Sequence, residues 1–226
     1  MTAVIECKDV KRTYVSGKIE VQALQGVSLN VSAGEFVSLS GPSGCGKTTL
    51  LNIIGGPDRP NGGDVRVEDQ WLNELSNSQL ADLRMNRIGF VFQAYNLIPV
   101  LSAAENVGFI MQLQGKSTGE RRRRAKQVLD SVGLSGMENR RPAELSGGQQ
   151  QRVAVARAIA SSPAIVLADE PTANLDSKAS DALLQLLRQL NEEEGVTIVI
   201  ASHDPKALEY ARRHVRLVDG QIHSDA

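Results

Sequence analysis

The amino-acid sequence predicts an α/β fold, and three short apolar runs carry that prediction. Residues 36–39, 164–168 and 196–201 are mostly apolar, as expected of central parallel strands that are buried on both faces. The first two runs lead through polar or glycine-rich turns into helical patterns, so that strands and helices alternate. We therefore expect a mostly parallel sheet with flanking helices, an antiparallel β subdomain at the N-terminal side and an inserted α-helical subdomain.

The remaining elements follow from local patterns. Polar and apolar residues alternate at 4–7 and 27–31, which is typical of antiparallel strands in the first 35 residues. A stripe of leucines at helical spacing, followed by Gly195, predicts a helix that ends at that glycine. Pro205 suits an early helical position. The predicted helices cover residues 48–54, 178–194 and 206–213.

The middle of the chain differs from both ends. Residues 94–150 lack strand patterns and alternate helical stretches with polar turns. We interpret them as an insert in the α/β core and expect one domain over residues 1–226. In this interpretation residues 1–93 and 158–226 form the core with its β subdomain. Residues 94–157 form the helical subdomain.

Composition excludes several classes of protein. The formal net charge of the 226-residue chain is -1, whereas proteins that bind duplex DNA usually carry a basic excess, so we expect no nucleic-acid partner. Two cysteines are too few for a disulfide framework. The N-terminus does not resemble a signal peptide, and no apolar run approaches the ~18 residues that a membrane span requires. Work at a membrane would therefore be done from the aqueous side.

One charged run has two open interpretations. Four arginines, residues 121–124, lie in a polar helical stretch. They form either a solvated helix face or a contact with acidic lipid head groups.

Residues 41–48 match the phosphate-binding pattern G-x-x-x-x-G-K-[ST] between a predicted strand and a predicted helix. Glycines let backbone N–H groups turn inward around a phosphate, the lysine neutralises the β- and γ-phosphates, and the threonine hydroxyl binds Mg²⁺. The context predicts a P-loop NTPase core with ATP and Mg²⁺ as cofactors. The predicted nucleotide-binding residues here are Gly41, Pro42, Ser43, Gly44, Cys45, Gly46, Lys47, Thr48 and Thr49.

Two carboxylates end the second apolar run. Asp169 is placed to hold Mg²⁺, directly or through water. Glu170 is placed to polarise the water that attacks the γ-phosphate. Acidic residues at a strand end also cap helices, but the complete phosphate loop upstream favours ATP hydrolysis.

Residues 145–149, Leu-Ser-Gly-Gly-Gln, resemble the signature sequence of ABC ATPases, and residues 150–158 resemble the helix that follows it. A serine and two glycines at a helix start make a second anion-binding end. In the family this end contacts the γ-phosphate held by the other subunit. The resemblance implies a homodimer with ATP sandwiched at its interface, to which Ser146, Gly147, Gly148 and Gln149 contribute.

Other positions resemble family residues in the same order. Gln93 resembles the glutamine that senses Mg²⁺ and the attacking water, and Asp176 lies in a stretch like the loop that communicates across the dimer. His203 resembles the switch histidine that contacts the γ-phosphate. Tyr14 resembles the aromatic residue that stacks on adenine, although an early tyrosine can equally be a core residue. The resemblance thus implies catalytic roles for Lys47, Gln93, Glu170 and His203, and metal binding by Thr48, Gln93 and Asp169.

The resemblance extends over the whole chain and is closest to the ATPases of bacterial macrolide-export and lipoprotein-releasing systems. It implies separate integral membrane permease subunits and a location on the inner face of the cytoplasmic membrane. It also implies that ATP hydrolysis powers export, lipoprotein extraction or mechanical transmission. The alternative is a soluble ABC ATPase that is not coupled to transport. The substrate is left open, since selectivity in this family belongs to the permease.

Overall fold

The computed structural model describes residues 3–17 and 19–226, so that Met1, Thr2 and Lys18 lie outside the described residues. The strands are β1 (Ala3–Ser16), β2 (Ile19–Ser32), β3 (Phe36–Ser40), β4 (Gly62–Val67), β5 (Gln70–Trp71), β6 (Ile88–Phe92), β7 (Ile165–Asp169), β8 (Thr197–Ala201), β9 (Arg213–Val218) and β10 (Gln221–Asp225). The helices are α1 (Lys47–Ile54), α2 (Asn77–Arg87), α3 (Ala103–Leu113), α4 (Thr118–Ser131), α5 (Gly147–Ile159), α6 (Ser177–Glu194) and α7 (Pro205–Tyr210).

The strands of this part of the chain form a four-stranded and a six-stranded sheet. The larger sheet has the order β10-β9-β3-β8-β7-β6 and is parallel except at β10. The three apolar runs are its central strands β3, β8 and β7, as predicted. Every residue of β8 is buried, which agrees with a strand covered on both faces.

The smaller sheet confirms the predicted antiparallel strands at the N-terminal side. Its order is β2-β1-β4-β5, and β1 pairs antiparallel with both β2 and β4. Its buried side chains share one apolar cluster with α1 and with one face of the larger sheet. The other face of the larger sheet packs against α5 and α6 in a second cluster. The predicted α/β fold class is therefore confirmed.

The predicted helix at 206–213 was wrong at its C-terminal end. Helix α7 ends at Tyr210, Ala211 has an extended backbone, and Arg213 begins β9. The Arg212 N–H donates to the Phe36 carbonyl at 3.0 Å, which starts the pairing of β9 with β3. Strand pairing with a distant part of the chain thus ends the helix.

Three α-helices and a short 3-10 helix (Pro142–Glu144) lie between β6 and β7. Each of α3, α4 and α5 begins at a serine that forms a reciprocal capping box with the residue three positions later, which satisfies orphan backbone N–H groups. Residues 94–150 are all described and contain no strand, as predicted. The division into a core and a helical subdomain at residues 94–157 stays a prediction. Among the residues that the structure describes, none of the helices has the length and apolarity to cross a bilayer.

Candidate active site

A cavity of about 570 Å³ opens where the loop after β3 meets the residues that follow β6, β7 and β8. Parallel strands end at the same edge of the sheet, so side chains distant in sequence meet there. The cavity is lined by Ser43, Gly44, Gly46, Lys47, Thr48, Thr49, Gln93, Glu170, Ala173 and His203. It therefore joins most of the predicted phosphate-loop residues to Gln93, Glu170 and His203.

Close backbone approach explains two glycines of the loop. Gly41 and Gly46 both have a positive φ, of 142° and 105°. A Cβ at Gly41 would collide with the Leu217 carbonyl, and one at Gly46 would lie 2.5 Å from the Ala23 carbonyl oxygen. Any other residue would push the loop away from β9 or β2.

Lys47 folds back over its own loop. Its Nζ donates to the carbonyl oxygens of Gly41 at 2.8 Å and Pro42 at 3.1 Å. The side chain is 7% exposed, and Cys45 is buried beside it. The loop thus carries an ammonium group together with the backbone of the α1 N-terminus, both of which favour a bound anion.

Thr48 and Asp169 meet across the site. The Thr48 hydroxyl donates to Asp169 Oδ1 at 3.1 Å and so links the start of α1 to the end of β7. Burial raises the pKa of Asp169, and the neighbouring Glu170 carboxylate adds to the rise, while the Thr48 hydrogen bond opposes it. A hydroxyl and a carboxylate side by side are the hard oxygen ligands that Mg²⁺ prefers, so these two residues fit that ion.

Glu170 is held in a sparsely populated backbone conformation. Its φ is 46°, and its N–H donates to the Ala201 carbonyl at 2.8 Å. Its Oε2 lies 2.9 Å from His203 Nδ1 and accepts a longer bond, of 3.4 Å, from the His203 backbone N–H. Left-handed non-glycine residues cost about 1–3 kcal/mol and occur often at functional sites. Here the conformation turns the carboxylate toward His203 and the cavity.

Gln93 is exposed directly after β6. Its carbonyl accepts a hydrogen bond of 3.0 Å from the Asn174 side chain, which lies in the segment after Glu170. Beneath it, the buried Gln151 of α5 donates to the Phe92 carbonyl at 3.3 Å and to the Pro171 carbonyl at 2.8 Å. The helix that follows the serine-glycine turn is thereby tied to the ends of β6 and β7.

The serine-glycine turn lies outside this cavity. Ser146 is the exposed N-cap of α5, and its hydroxyl accepts from the Gln149 N–H at 3.3 Å. Gly147 and Gly148 form the first turn of that helix. Asp176 is likewise an N-cap, of α6, and accepts from the Ala179 N–H at 2.8 Å. Among the described residues, the cavity lining includes none of these four, Ser146, Gly147, Gly148 and Asp176.

Tyr14 also lies outside the cavity lining, on β1, and it is 38% exposed. Its hydroxyl donates to Asp58 Oδ2 at 2.6 Å. Arg12 forms an ion pair with Asp58 at 2.8 Å, and its guanidinium lies 4.5 Å from the centre of the Tyr14 ring. The ring is therefore fixed at its hydroxyl and covered on one face rather than packed in the core.

Sequence reasoning missed several residues that position this site. Gln151 was part of the recognised helix, but only its burial and two carbonyl bonds show that it joins two strand ends. Arg157, which lies further along the same helix, donates to the Tyr95 carbonyl at 2.9 Å and to the Asn96 carbonyl. Burial lowers the pKa of Arg157. No sequence signal marked Asp58, because its role depends on pairing with residues of β1.

Comparison with known proteins gives a consistent result. A profile of the ABC transporter family matches residues 24–173. The chain is 48% identical over 224 residues to "Macrolide export ATP-binding/permease protein MacB" of Syntrophobacter fumaroxidans, with 98% of this chain and 31% of that protein covered. It is 46% identical over 225 residues to "Lipoprotein-releasing system ATP-binding protein LolD" of Anaeromyxobacter dehalogenans, with 99% and 94% covered. The chain thus spans about a third of the first relative and nearly all of the second.

A solved structure is similar in fold and sequence. It is a dimeric, post-hydrolysis state of the ATP-binding cassette MJ0796 bound to ADP and Pi, with a TM-score of 0.91 and 45% identity. The alignment covers 98% of this chain and 97% of that one.

Proposed function

This chain belongs to the ABC transporter family as an ATP-binding subunit of the macrolide-export and lipoprotein-releasing type, and we propose that two copies clasp ATP between them to drive a separate membrane permease. One observation carries the proposal. The cavity contains Lys47, Glu170 and His203, whereas the serine-glycine turn at Ser146 faces solvent outside it. A second copy supplying that turn would complete the site.

The phosphate loop would bind the β- and γ-phosphates of ATP. Lys47 supplies the positive charge and the α1 N-terminus supplies backbone donors. Thr48 and Asp169 would hold Mg²⁺, with Gln93 close by. When bound, Mg²⁺ neutralises charge that develops on the phosphate oxygens. Tyr14, with one ring face covered by Arg12, would stack its other face on adenine.

Glu170 would orient and polarise the attacking water. Its carboxylate lies at the cavity wall, where one of its oxygens would accept a proton from the attacking water as a general base. His203 holds Oε2 of that carboxylate and is itself mostly exposed toward the cavity, so it would contact the γ-phosphate. The water oxygen would form a bond to the γ-phosphorus while the bond from that phosphorus to the bridging oxygen breaks, and ADP and phosphate would leave.

The partner copy would contribute the first turn of its α5. The N–H groups of Gly147 and Gly148 and the Ser146 hydroxyl form an anion-binding helix end, which suits a γ-phosphate. Asp176 would lie at the same interface. The dimeric MJ0796 cassette, at 45% identity, supports a dimer of this kind.

The permease would dock beside Gln93. An apolar groove of about 450 Å³ lies between the larger sheet and α3, and its lining includes Phe90, Phe92, Phe109 and Leu113. Leu113 is 58% exposed and continues the apolar lining of the groove, and contiguous exposed apolar surface is typical of contact sites. Arg157 lines this groove and also holds the segment after Gln93, so docking would reach the active site. The chain would thus lie peripherally on the inner face of the cytoplasmic membrane.

Replacing Glu170 by Gln tests the proposal, because it removes the base and keeps the shape of the side chain. We expect ATP turnover to fall at least about 100-fold, the usual size of a general-base contribution. We also expect the variant to form a stable dimer with Mg·ATP, measured by light scattering. Glu194→Gln, at the exposed end of α6, is the matched control and should behave as the parent. A variant that stays monomeric at saturating Mg·ATP, with its permease present, would contradict the clasp.

A further inference from the structure

A second cleft, of about 830 Å³, lies between α3 and α4 and shares no lining residue with the active-site cavity. Its charged lining is strongly biased toward the positive sign. Four cations line it, Arg121, Arg122, Lys126 and Arg141, against two carboxylates, Glu105 and Glu138. The whole chain, in contrast, has a formal net charge of -1.

Both carboxylates of the cleft are engaged by the backbone. Glu105 accepts from the Ser102 N–H at 2.8 Å in the capping box of α3. Glu138 accepts from the Gly136 N–H at 3.2 Å. Ser102 and nearby Arg141 and Arg122 lower the pKa of Glu105, so that carboxylate offsets part of the positive charge. Two of the four cationic charges still remain in excess in the cleft.

The four cations have no carboxylate partner. Across residues 3–17 and 19–226, none of them has a charged nitrogen within 4.0 Å of a carboxylate oxygen. Arg121 donates instead to Gln112 and to the Thr118 hydroxyl, and its buried Nε has no hydrogen-bond partner within the same described residues. A buried donor without a partner is unfavourable, so an acceptor group that enters this cleft can form a hydrogen bond with the Arg121 Nε–H.

The four arginines at residues 121–124 make different contacts. Arg124 donates to the carbonyl of Ala160 at 3.1 Å and to the Ser162 hydroxyl at 3.3 Å, and so caps the C-terminal end of α5. Arg123 is exposed and does not line the cleft. Only Arg121 and Arg122 face it. A solvated face would explain Arg123, but it does not explain a concave cluster of unpaired cations.

We propose that this cleft binds an acidic cytoplasmic segment of the membrane permease, with its carboxylates among the four cations. The inference rests on the proposed function. Three features favour a polypeptide over lipid head groups. The surface is concave, it carries both signs of charge, and Leu101 and Phe109 add apolar contacts. Phe109 also lines the apolar groove described above, so one segment can run across both.

Charge reversal tests whether the cleft-facing cations of α4 bind the permease, with a residue of the same helix outside the cleft as the control. Arg122→Glu together with Lys126→Glu reverses the charge of two exposed cleft residues that bond no other side chain among the described residues. Arg123→Glu is the matched control one position away. In pull-downs of the permease from co-expressed, detergent-solubilised membranes, we expect the double variant to bind about tenfold more weakly. The control should bind as the parent, and basal ATP turnover should be unchanged in all three.

Photo-crosslinking identifies the occupant. A benzoylphenylalanine at position 126 should crosslink to a permease peptide that contains Asp or Glu, and one at position 123 should not. Equal permease binding by the parent and the double variant would overturn the inference, as would crosslinking from position 126 to phospholipid alone. A probe at position 113, in the apolar groove, distinguishes failure of the cleft proposal from failure of the proposed permease docking. Crosslinks there with none at 126 refute the cleft only, whereas none at either position refutes permease docking itself.

Discussion

Gln151 offers the sharpest test of how the helices are attached to the sheet. Its side chain is fully buried and donates to the carbonyls of Phe92 and Pro171, while its Oε1 has no hydrogen-bond partner in the described part of the chain. Methionine has a similar length and leaves no large cavity, but it removes both donated bonds. Gln151→Met therefore isolates the two hydrogen bonds.

The expected magnitude follows from these contacts. Two lost hydrogen bonds cost about 1 kcal/mol each. The penalty for carbonyls left unpaired is offset by relief of the buried, unpartnered amide oxygen, since each is about 1–3 kcal/mol. We expect a net loss of about 2 kcal/mol in the free energy of unfolding, which lowers Tm by about 4–8 °C for a chain of this size.

Thermal unfolding followed by circular dichroism measures the change. Gln189→Met, on the exposed face of α6, is the matched control because that amide bonds only Glu193 within the described residues. We expect its Tm to shift by less than about 2 °C, as is usual for surface substitutions. Equal shifts for the two variants would refute the argument that these carbonyl bonds stabilise the fold.

Two further predictions concern polar contacts at the N-terminal sheet and at β10. Asp58→Ala removes the hydrogen-bond acceptor of the Tyr14 hydroxyl and so frees the ring. It should raise KM for ATP about 3- to 10-fold with kcat unchanged, as measured by steady-state turnover. An unchanged KM would show that the carboxylate does not position the ring. At β10, the hydrogen bonds from Arg213 hold the pKa of Asp225 below its ordinary value of 3.8. The ionised carboxylate therefore stabilises the fold above pH 3.8, and this contribution is lost as pH falls through the lower pKa of the folded state. The Tm difference between the parent and Asp225→Asn should therefore be largest near neutrality. It should shrink only as pH falls below about 3.8 and vanish below the lower, folded pKa of Asp225; a constant difference would contradict this linkage.

Local patterns predicted the parts of the fold that depend on local chemistry. The apolar runs that became β3, β7 and β8 are buried on both faces, so their composition alone marks them. The phosphate loop was found for a similar reason, since its glycines are required by backbone contacts within a short stretch. Family resemblance added Gln93 and His203, which no periodicity distinguishes.

Features that depend on distant partners were not predicted. Residues 213–218, Arg-His-Val-Arg-Leu-Val, show no strict alternation of polar and apolar side chains. Only their pairing with β3 shows that they form a strand rather than the end of a helix. The left-handed backbone of Glu170 depends on its bond to Ala201, which lies on a different strand. The same holds for Arg124, whose partners are the last carbonyls of α5.

The attachment of the helices to the sheet has a consequence for sequence divergence. Three anchoring side chains donate hydrogen bonds to main-chain oxygens, namely Gln151, Arg157 and Arg124. A main-chain oxygen is present whatever side chain a position carries. Residues 95 and 96, which lie outside the buried core, are therefore free to vary without loss of the Arg157 anchor. Related proteins can retune the surface offered to a different permease while the three anchoring side chains stay the same.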